Sequence, residues 1–492
     1  MDATSPWCER LNPTDATFLY LESPKAHMHV GAVFLYQGHP PSYREFVEYV
    51  TSRLDLVPRY RQRLAWIPFD AGRPVWVDDD RFDPEYHLKH SALPGAGGPE
   101  ALKRAAARIF GQPLDLERPL WELELVENVG EDRFAIVSKT HHAVIDGIAG
   151  NSVVTAITDD TPTFGTSGFA SEWRPRPRPG SLRLLAGALR DQVTRPLQLA
   201  REALRSGTEG RRFMIDLVVG IRPFLRLALQ GQAPETSLNA DIGAHRRYEM
   251  VSVSLDAVKR IRAAVPSTVN DVALALVAGA LRRLLVSRGE PLRDDLRVFV
   301  PVNARPPDQT GSSGNEVAFV FCPLPLAESD PIARLRAISA AMMQRKQAKD
   351  AAASLVIARL GEFTVPALAA SATRMETNFR RFNFVVSNVP GSPTPRYFLG
   401  RRMLALHPLI PLSALQTLSV GLHSYAGTIC FGLLADADRG RDLPIFARAI
   451  PEALAELVRA TGTAAELPPP TMQPARVAPF AARATVTTER QN

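Results

Sequence analysis

The chain of 492 residues is long enough for two or three domains, and its 45% apolar and 22% charged residues exclude wholesale disorder. Three cysteines far apart in sequence, Cys8, Cys322 and Cys430, form no C-x-x-C pair and no disulfide framework, which suits a reducing, cytoplasmic compartment. The net charge of +7 has its arginines concentrated between Arg174 and Arg247, but no basic run is interleaved with aromatics, which argues against nucleic acid as a partner.

The first residues lack a basic region followed by an apolar core, so no secretory signal is expected. Residues 30–36 read as a strand, and 42–54 and 100–110 as helices. Residues 121–126 alternate cleanly and predict a half-buried strand. A strand over 134–140 then leads into His141-His142-Ala-Val-Ile-Asp146-Gly147, and a helix is expected over 148–157. These elements make one α/β unit over 1–165.

The next stretch is a linker, 166–243. Turn residues crowd 159–168, and Trp173-Arg-Pro-Arg-Pro-Arg-Pro-Gly180 should be extended. Residues 182–204 and 213–229 read as apolar, arginine-rich helices. On the first of them Arg183, Arg190, Arg201 and Arg205 suit a cationic face. That face fits contact with a membrane surface or lipid droplet, and equally a solvated pair of interdomain helices.

A second α/β unit covers 244–465. Its strands fall at 248–255, 296–302, 317–321 and 384–387, with helices over 256–264 and 272–285. Residues 408–435 contain no Asp, Glu, Lys or Arg and are long enough to cross a membrane. However, Pro408 and Pro411 punctuate the start, and Ser424-Tyr-Ala-Gly427 reads as a turn between strands 418–423 and 428–433. A buried hairpin is the better reading. Residues 466–492, with a triple proline at 468–470, read as a disordered tail.

The chemistry concentrates in the doubled histidine. Neighbouring strand residues point to opposite faces, so His141 and His142 are awkward as joint metal ligands. No third ligand stands at metal spacing, so no metal is expected. The chain also lacks G-x-S-x-G, G-x-x-x-x-G-K-[ST] and G-x-G-x-x-G, which leaves serine hydrolysis and phosphate cradles unsupported. What survives is one histidine in a pocket and one supporting it. His142 is the better candidate base because it completes H-x-x-x-D with Asp146, and Gly147 permits a tight turn after it. Such a base can take the proton of an alcohol as it attacks an acyl carbonyl. The plain alternative is a pair of core histidines with a capping aspartate.

The chain resembles the bacterial wax ester synthase/diacylglycerol acyltransferase family, within the CoA-dependent acyltransferases that carry HHxxxDG. The likeness spans about 10–465. It rests on Leu11-Asn-Pro-Thr-Asp-Ala-Thr-Phe-Leu19, Glu22-Ser-Pro24, Met28-His-Val-Gly31, Pro119-Leu-Trp121, Thr268-Val-Asn-Asp271, Gly314-Asn315 and Ser387-Asn-Val-Pro-Gly391. The resemblance implies a mixed α/β fold of two chloramphenicol-acetyltransferase-like, two-layer domains, joined by a helical linker, with an active-site tunnel between them.

It further implies a long-chain acyl-CoA as substrate and no cofactor. The acceptor would be diacylglycerol, giving triacylglycerol, or a long-chain alcohol, giving a wax ester. By the same resemblance His142 is the base, His141 shapes the site, and Asp146 is structural, with Arg305 as its candidate partner. Asn270, beside Asp271, becomes a candidate donor to the carbonyl oxygen; the pair's other reading is a helix cap. Pro119 and Trp121 would shape the core or an acyl channel. The family's common Pro-Val-Ser-x-Arg reads Pro-Val-Asn-Ala-Arg305 here. The expected protein is peripheral, at the inner face of the cell membrane or on lipid droplets. The competing readings are a relative that acylates another alcohol or an amine, and a catalytically silent lipid-binding homologue.

Overall fold

The computed structural model describes residues 9–144, 157–163, 173–190, 194, 231–303, 317–347 and 380–463. Most of the helix expected over 148–157, the helix over 182–204 beyond residue 190, the 213–229 helix and the tail lie outside the described residues.

In the first half, a short strand β1 (Glu9–Arg10) precedes helix α1 (Pro13–Leu21), whose Asn12 cap accepts from the Asp15 amide. Strand β2 (His29–Gln37) follows, then α2 (Tyr43–Thr51), opened by a Ser42/Glu45 capping box. Next come β3 (Gln62–Ala65), β4 (Val75–Asp78), the single turn α3 (Pro84–His87), β5 (Leu88–Ala92) and α4 (Pro99–Phe110). The antiparallel pair β6 (Trp121–Gly130) and β7 (Arg133–His141) ends at the histidine motif.

The strand expected to be half-buried over 121–126 is instead covered on both faces. Its alternating glutamates do not face solvent. Glu122 meets Lys139 at 2.9 Å and Lys89 at 2.8 Å, and Glu124 accepts from the Ser91 hydroxyl at 2.6 Å. Alternation marked which face carries charge, and neighbouring side chains, of which Lys139 is buried, rather than water alone satisfy that charge.

The Pro/Arg segment 173–180 has neither helix nor strand and docks on the first half. Arg176 binds both carboxylate oxygens of Asp78, at 2.8 and 2.9 Å, which holds that carboxyl down at about 2. Helix α5 (181–190) follows and buries Leu184 and Ala188 against the small sheet β1-β4-β3.

The second half contributes β8 (Arg246–Ser254), α6 (Leu255–Ala264), α7 (Val269–Ser287), β9 (Leu296–Asn303), β10 (Val317–Leu324) and α8 (Pro331–Gln347). Then come β11 (Phe384–Pro390), β12 (Tyr397–Phe398), β13 (Arg401–Leu409), the hairpin β14 (Leu418–Tyr425) and β15 (Thr428–Asp436), and α9 (Leu443–Ala460). The 408–435 window therefore holds the end of β13 and the expected hairpin. Among the described residues no single helix is long and apolar enough to cross a membrane; α7 is instead the buried centre of the second core.

Two six-stranded mixed sheets result, in the orders β12-β13-β2-β7-β6-β5 and β10-β9-β11-β14-β15-β8. The first sheet is completed by strands from the second half: β13 pairs antiparallel with β2 from Met403↔Tyr36 to Leu409↔Gly31. In return α4 of the first half packs on β8, with Lys103 bonded to Glu249 at 2.6 Å. Val33, Phe110, Tyr248, Ala405 and Cys430 share one apolar cluster, so the halves have a common core as well as their own.

Candidate active site

Strand β7 is flanked by β2 and β6, so its end is fixed from both sides. The His141 amide donates to Leu120 O at 2.9 Å and the His142 amide to Met28 O at 2.8 Å, which ties both histidines to neighbouring chain segments. At His142 the chain leaves the sheet in a tight turn, His142–Val144. The two rings therefore enter different surroundings, as alternation requires.

His141 is fully buried. Its Nδ1 accepts from the Ala143 amide at 3.1 Å, and its Nε2 lies 3.3 Å from Glu22 Oε2. The His142 ring stacks on Phe18 of α1, with centroids 3.7 Å apart and planes 14° from parallel. Its Nδ1 is buried and, among the described residues, hydrogen-bonds to no other residue's side chain. Burial is the main cause that pushes the imidazole down to about 4, with the nearby His141 adding to it. At neutral pH His142 is therefore uncharged and has a lone pair to accept a proton.

The PLW element sits directly behind this strand end. Pro119 is buried, Leu120 O receives the His141 amide, and Trp121 lies opposite Thr140. The indole of Trp121 donates to Tyr60 O at 2.8 Å and stacks between Tyr60 and His87. Trp121 packs in the core, one strand away from the histidines.

In the second half, Thr268 caps α7, and Asp271 closes the capping box by accepting from the Thr268 amide at 2.8 Å. Asp271 also accepts from Ser339 at 3.2 Å, so its carboxylate is engaged with its own helix and with α8. Asn270 points elsewhere. Its Oδ1 accepts from Asn388 on β11 at 3.2 Å, joining the ND element to the Ser387-Asn-Val-Pro-Gly391 signature. Within that signature Gly391 leaves room for His423, since a Cβ there would stand 2.1 Å from its Nε2.

Asp146, Gly147, Arg305 and the Gly314-Asn315 element lie outside the described residues. No side-chain hydrogen bond joins Asn270 to His142 among the described residues. Nor is any group of three His, Cys, Asp or Glu side chains there placed to hold a metal ion. Three contacts had no reading in the sequence: Phe18 on His142, Glu22 on His141 and Asn388 on Asn270. The first two come from one short segment, but no local pattern points that segment at a strand more than 100 residues away.

Two interlocked mixed sheets, with the histidine pair at the end of a central strand, make a fold of the two-domain condensation type. The starter condensation domain of rhizomide synthetase RzmA, solved as a double mutant with C8-CoA and Leu-SNAC, shares this fold. Its TM-score is 0.57 at 15% identity, over 94% of this chain and 97% of that one. The wax ester synthase/diacylglycerol acyltransferase from Marinobacter aquaeolei VT8 matches with a TM-score of 0.67 and 25% identity, over 92% of this chain and 100% of that one.

The catalytic-domain model of wax ester synthase/diacylglycerol acyltransferases matches residues 11–273, and their C-terminal-domain model matches 313–458. Probable diacylglycerol O-acyltransferase tgs1 of Mycobacterium tuberculosis is 32% identical over 454 residues, covering 91% of this chain and 95% of that protein. Its paralogue tgs2, similarly named, is 33% identical over 440 residues, covering 86% and 92%. The chain belongs to the wax ester synthase/diacylglycerol acyltransferase family and is an acyltransferase.

Proposed function

We propose that this enzyme transfers a long-chain acyl group from acyl-CoA to the free hydroxyl of diacylglycerol, making triacylglycerol, and to long-chain alcohols, making wax esters. The names of its mycobacterial relatives support the acceptor. The observation that carries the mechanism is His142 itself: neutral, stacked on Phe18, and at the end of a central strand, with a buried ring nitrogen that no other described side chain engages.

In this reading His142 accepts the acceptor's hydroxyl proton while the oxygen attacks the thioester carbonyl. The carbon–sulfur bond then breaks, and the proton passes from the imidazolium to the CoA thiolate. Ester and free CoA are the products, and no metal, cofactor or covalent enzyme intermediate is needed to balance the step. Holding the two substrates together lowers the barrier further. Asn388 engages the Asn270 carbonyl oxygen, which leaves the Asn270 amide hydrogens to donate to the carbonyl oxygen as it gains charge.

Peripheral contact with the inner face of the cell membrane or with lipid droplets belongs to the same reading, because both the acceptor and the product are water-insoluble. The exposed face of α5, with Leu182 and Leu189 beside Arg183 and Arg190, supports it.

The test is direct. Purified protein is given labelled long-chain acyl-CoA, with diacylglycerol and hexadecanol offered in parallel. Labelled ester is expected, and His142→Ala should lower its rate by about 10²–10⁴. An enzyme that releases no CoA with any acceptor, or a His142→Ala variant as active as the parent, overturns the proposal.

A further inference from the structure

One short segment of chain touches both histidines. Phe18 stacks on His142, and Glu22, four residues on and just past the end of α1, lies against His141. The Glu22 carboxylate is poorly placed for the helix that carries it, since negative charge at a helix C-terminus opposes the helix dipole. Among the described residues neither its buried Oε2 nor His141 Nε2 has a hydrogen-bond partner, and the two lie 3.3 Å apart. The other oxygen is 3.9 Å from His27 Nδ1. The location is therefore explained by what Glu22 faces, not by what it does for α1.

His141 Nδ1 accepts the Ala143 amide hydrogen. A neutral imidazole has one donor and one acceptor nitrogen, so an accepting Nδ1 puts the proton on Nε2. That N–H lies beside the Glu22 carboxylate, 3.3 Å away and outside hydrogen-bond geometry, so the two act on each other as a buried charge and a ring dipole. The Nδ1 bond spans His142, since it joins the ring of residue 141 to the backbone of residue 143. It thereby fixes the turn from which the His142 ring is presented.

We infer that Glu22 is a positioning residue for acyl transfer: it holds His141 as the Nε2–H tautomer, so that Nδ1 can anchor the Ala143 amide and the turn carrying His142. The inference rests on His142 being the base. Without the carboxylate, a proton on Nδ1 would oppose the Ala143 amide, and the turn would lose its anchor.

The full-length protein is compared with Glu22→Ala, Glu22→Gln and His142→Ala in the labelled acyl-CoA assay, alongside NMR of isotope-labelled histidine rings. Glu22→Ala should lower kcat by about 10–100-fold, the range seen when the partner of an oriented histidine is removed, with KM for acyl-CoA within about twofold. Glu22→Gln keeps an acceptor oxygen and should recover most of the lost rate. The His141 ring should be purely Nε2–H in the parent and in Glu22→Gln, and a mixture of tautomers in Glu22→Ala. If Glu22→Ala yields no folded protein, Glu22→Asp, whose carboxylate stops one methylene short, is read in its place.

A parental kcat in Glu22→Ala, while His142→Ala is inactive, overturns the positioning role and leaves the base standing. So does an unchanged His141 tautomer. Full activity of His142→Ala overturns the base instead.

Discussion

Glu122 and Lys139 face each other across β6 and β7, two residues before His141 on the same face of β7. Both are buried, yet their supports differ. Among the described residues Lys139 has Glu122 at 2.9 Å and otherwise backbone oxygens, those of Gln112 at 3.1 Å and Ile109 at 3.4 Å. Burial pulls its ammonium below the usual lysine value, and Glu122 is the main influence holding it up. Glu122, by contrast, keeps Lys89 at 2.8 Å if Lys139 is lost. Breaking a buried pair from the side that strands a charge is the costly direction, about 3–5 kcal/mol. Glu122→Gln should therefore lower the thermal midpoint more than Lys139→Met, and the double variant should recover part of the loss. A midpoint lower for Lys139→Met than for Glu122→Gln would contradict the asymmetry. At this scale the sequence announced His141 and His142, because their spacing to Asp146 and Gly147 is local. It was silent on Glu22, because nothing local ties that residue to a strand some 120 positions away.

Among the elements, those with local signatures were legible in advance: the capped helices α2 and α7, strands β2 and β7, and the β14–β15 hairpin. β13 was not read as a strand, since Pro408 looks like punctuation. It is tolerated because β12 pairs only with Arg401 and Arg402, leaving that edge of β13 unpaired at Pro408. The same crossing explains a cross-strand glycine pair. Gly421 lies opposite Gly432, and a Cβ on Gly432 would stand 1.7 Å from Pro408 O, or one on Gly421 2.8 Å from Pro408 Cβ. No local pattern reveals glycines required by a strand from elsewhere. Helix α5 inverts the usual pattern: Leu184 and Ala188 are buried, while Leu182, Ala186 and Leu189 form an exposed stripe at i, i+4, i+7, with Arg183 and Arg190 alongside. An apolar stripe flanked by arginines suits the headgroup region of an anionic bilayer. Leu182→Asp combined with Leu189→Asp should lower binding to anionic phospholipid vesicles by about tenfold or more, while leaving turnover of detergent-dispersed substrate intact. Parental vesicle binding by the double variant would remove α5 from the contact.

For the whole molecule, the exchange of β13 and of α4 across the two halves makes separate unfolding of one half costly, because each carries part of the other's core. Buried and half-buried histidines are spread through this shared structure. His29 and His142 lie in the first half, His407 on the exchanged strand and His423 in the second sheet. Burial lowers every one of them, to about 4 for His142, His407 and His423 and well below the usual value for His29; His27 and His87 are lowered as well. In the unfolded chain a histidine titrates near pH 6.5. Between about pH 6.5 and about pH 4 the unfolded state therefore holds protons that the folded state refuses, so stability rises with pH across that window. It is fully present above the window and is lost as acid is added, by up to about 1.4 kcal/mol per pH unit for each such histidine. Carboxylates do not reverse this. Asp78, held at about 2 by Arg176, keeps its charge throughout the window, and the raised carboxyl of Glu249 is a single opposing group. The thermal midpoint should thus fall steeply and in one transition as pH drops from about 7 to about 5, well before acid reaches His142 in the folded enzyme. A flat midpoint over that range would mean that these histidines take up protons in the folded protein as readily as in the unfolded chain, and would contradict the lowered values, His142 included.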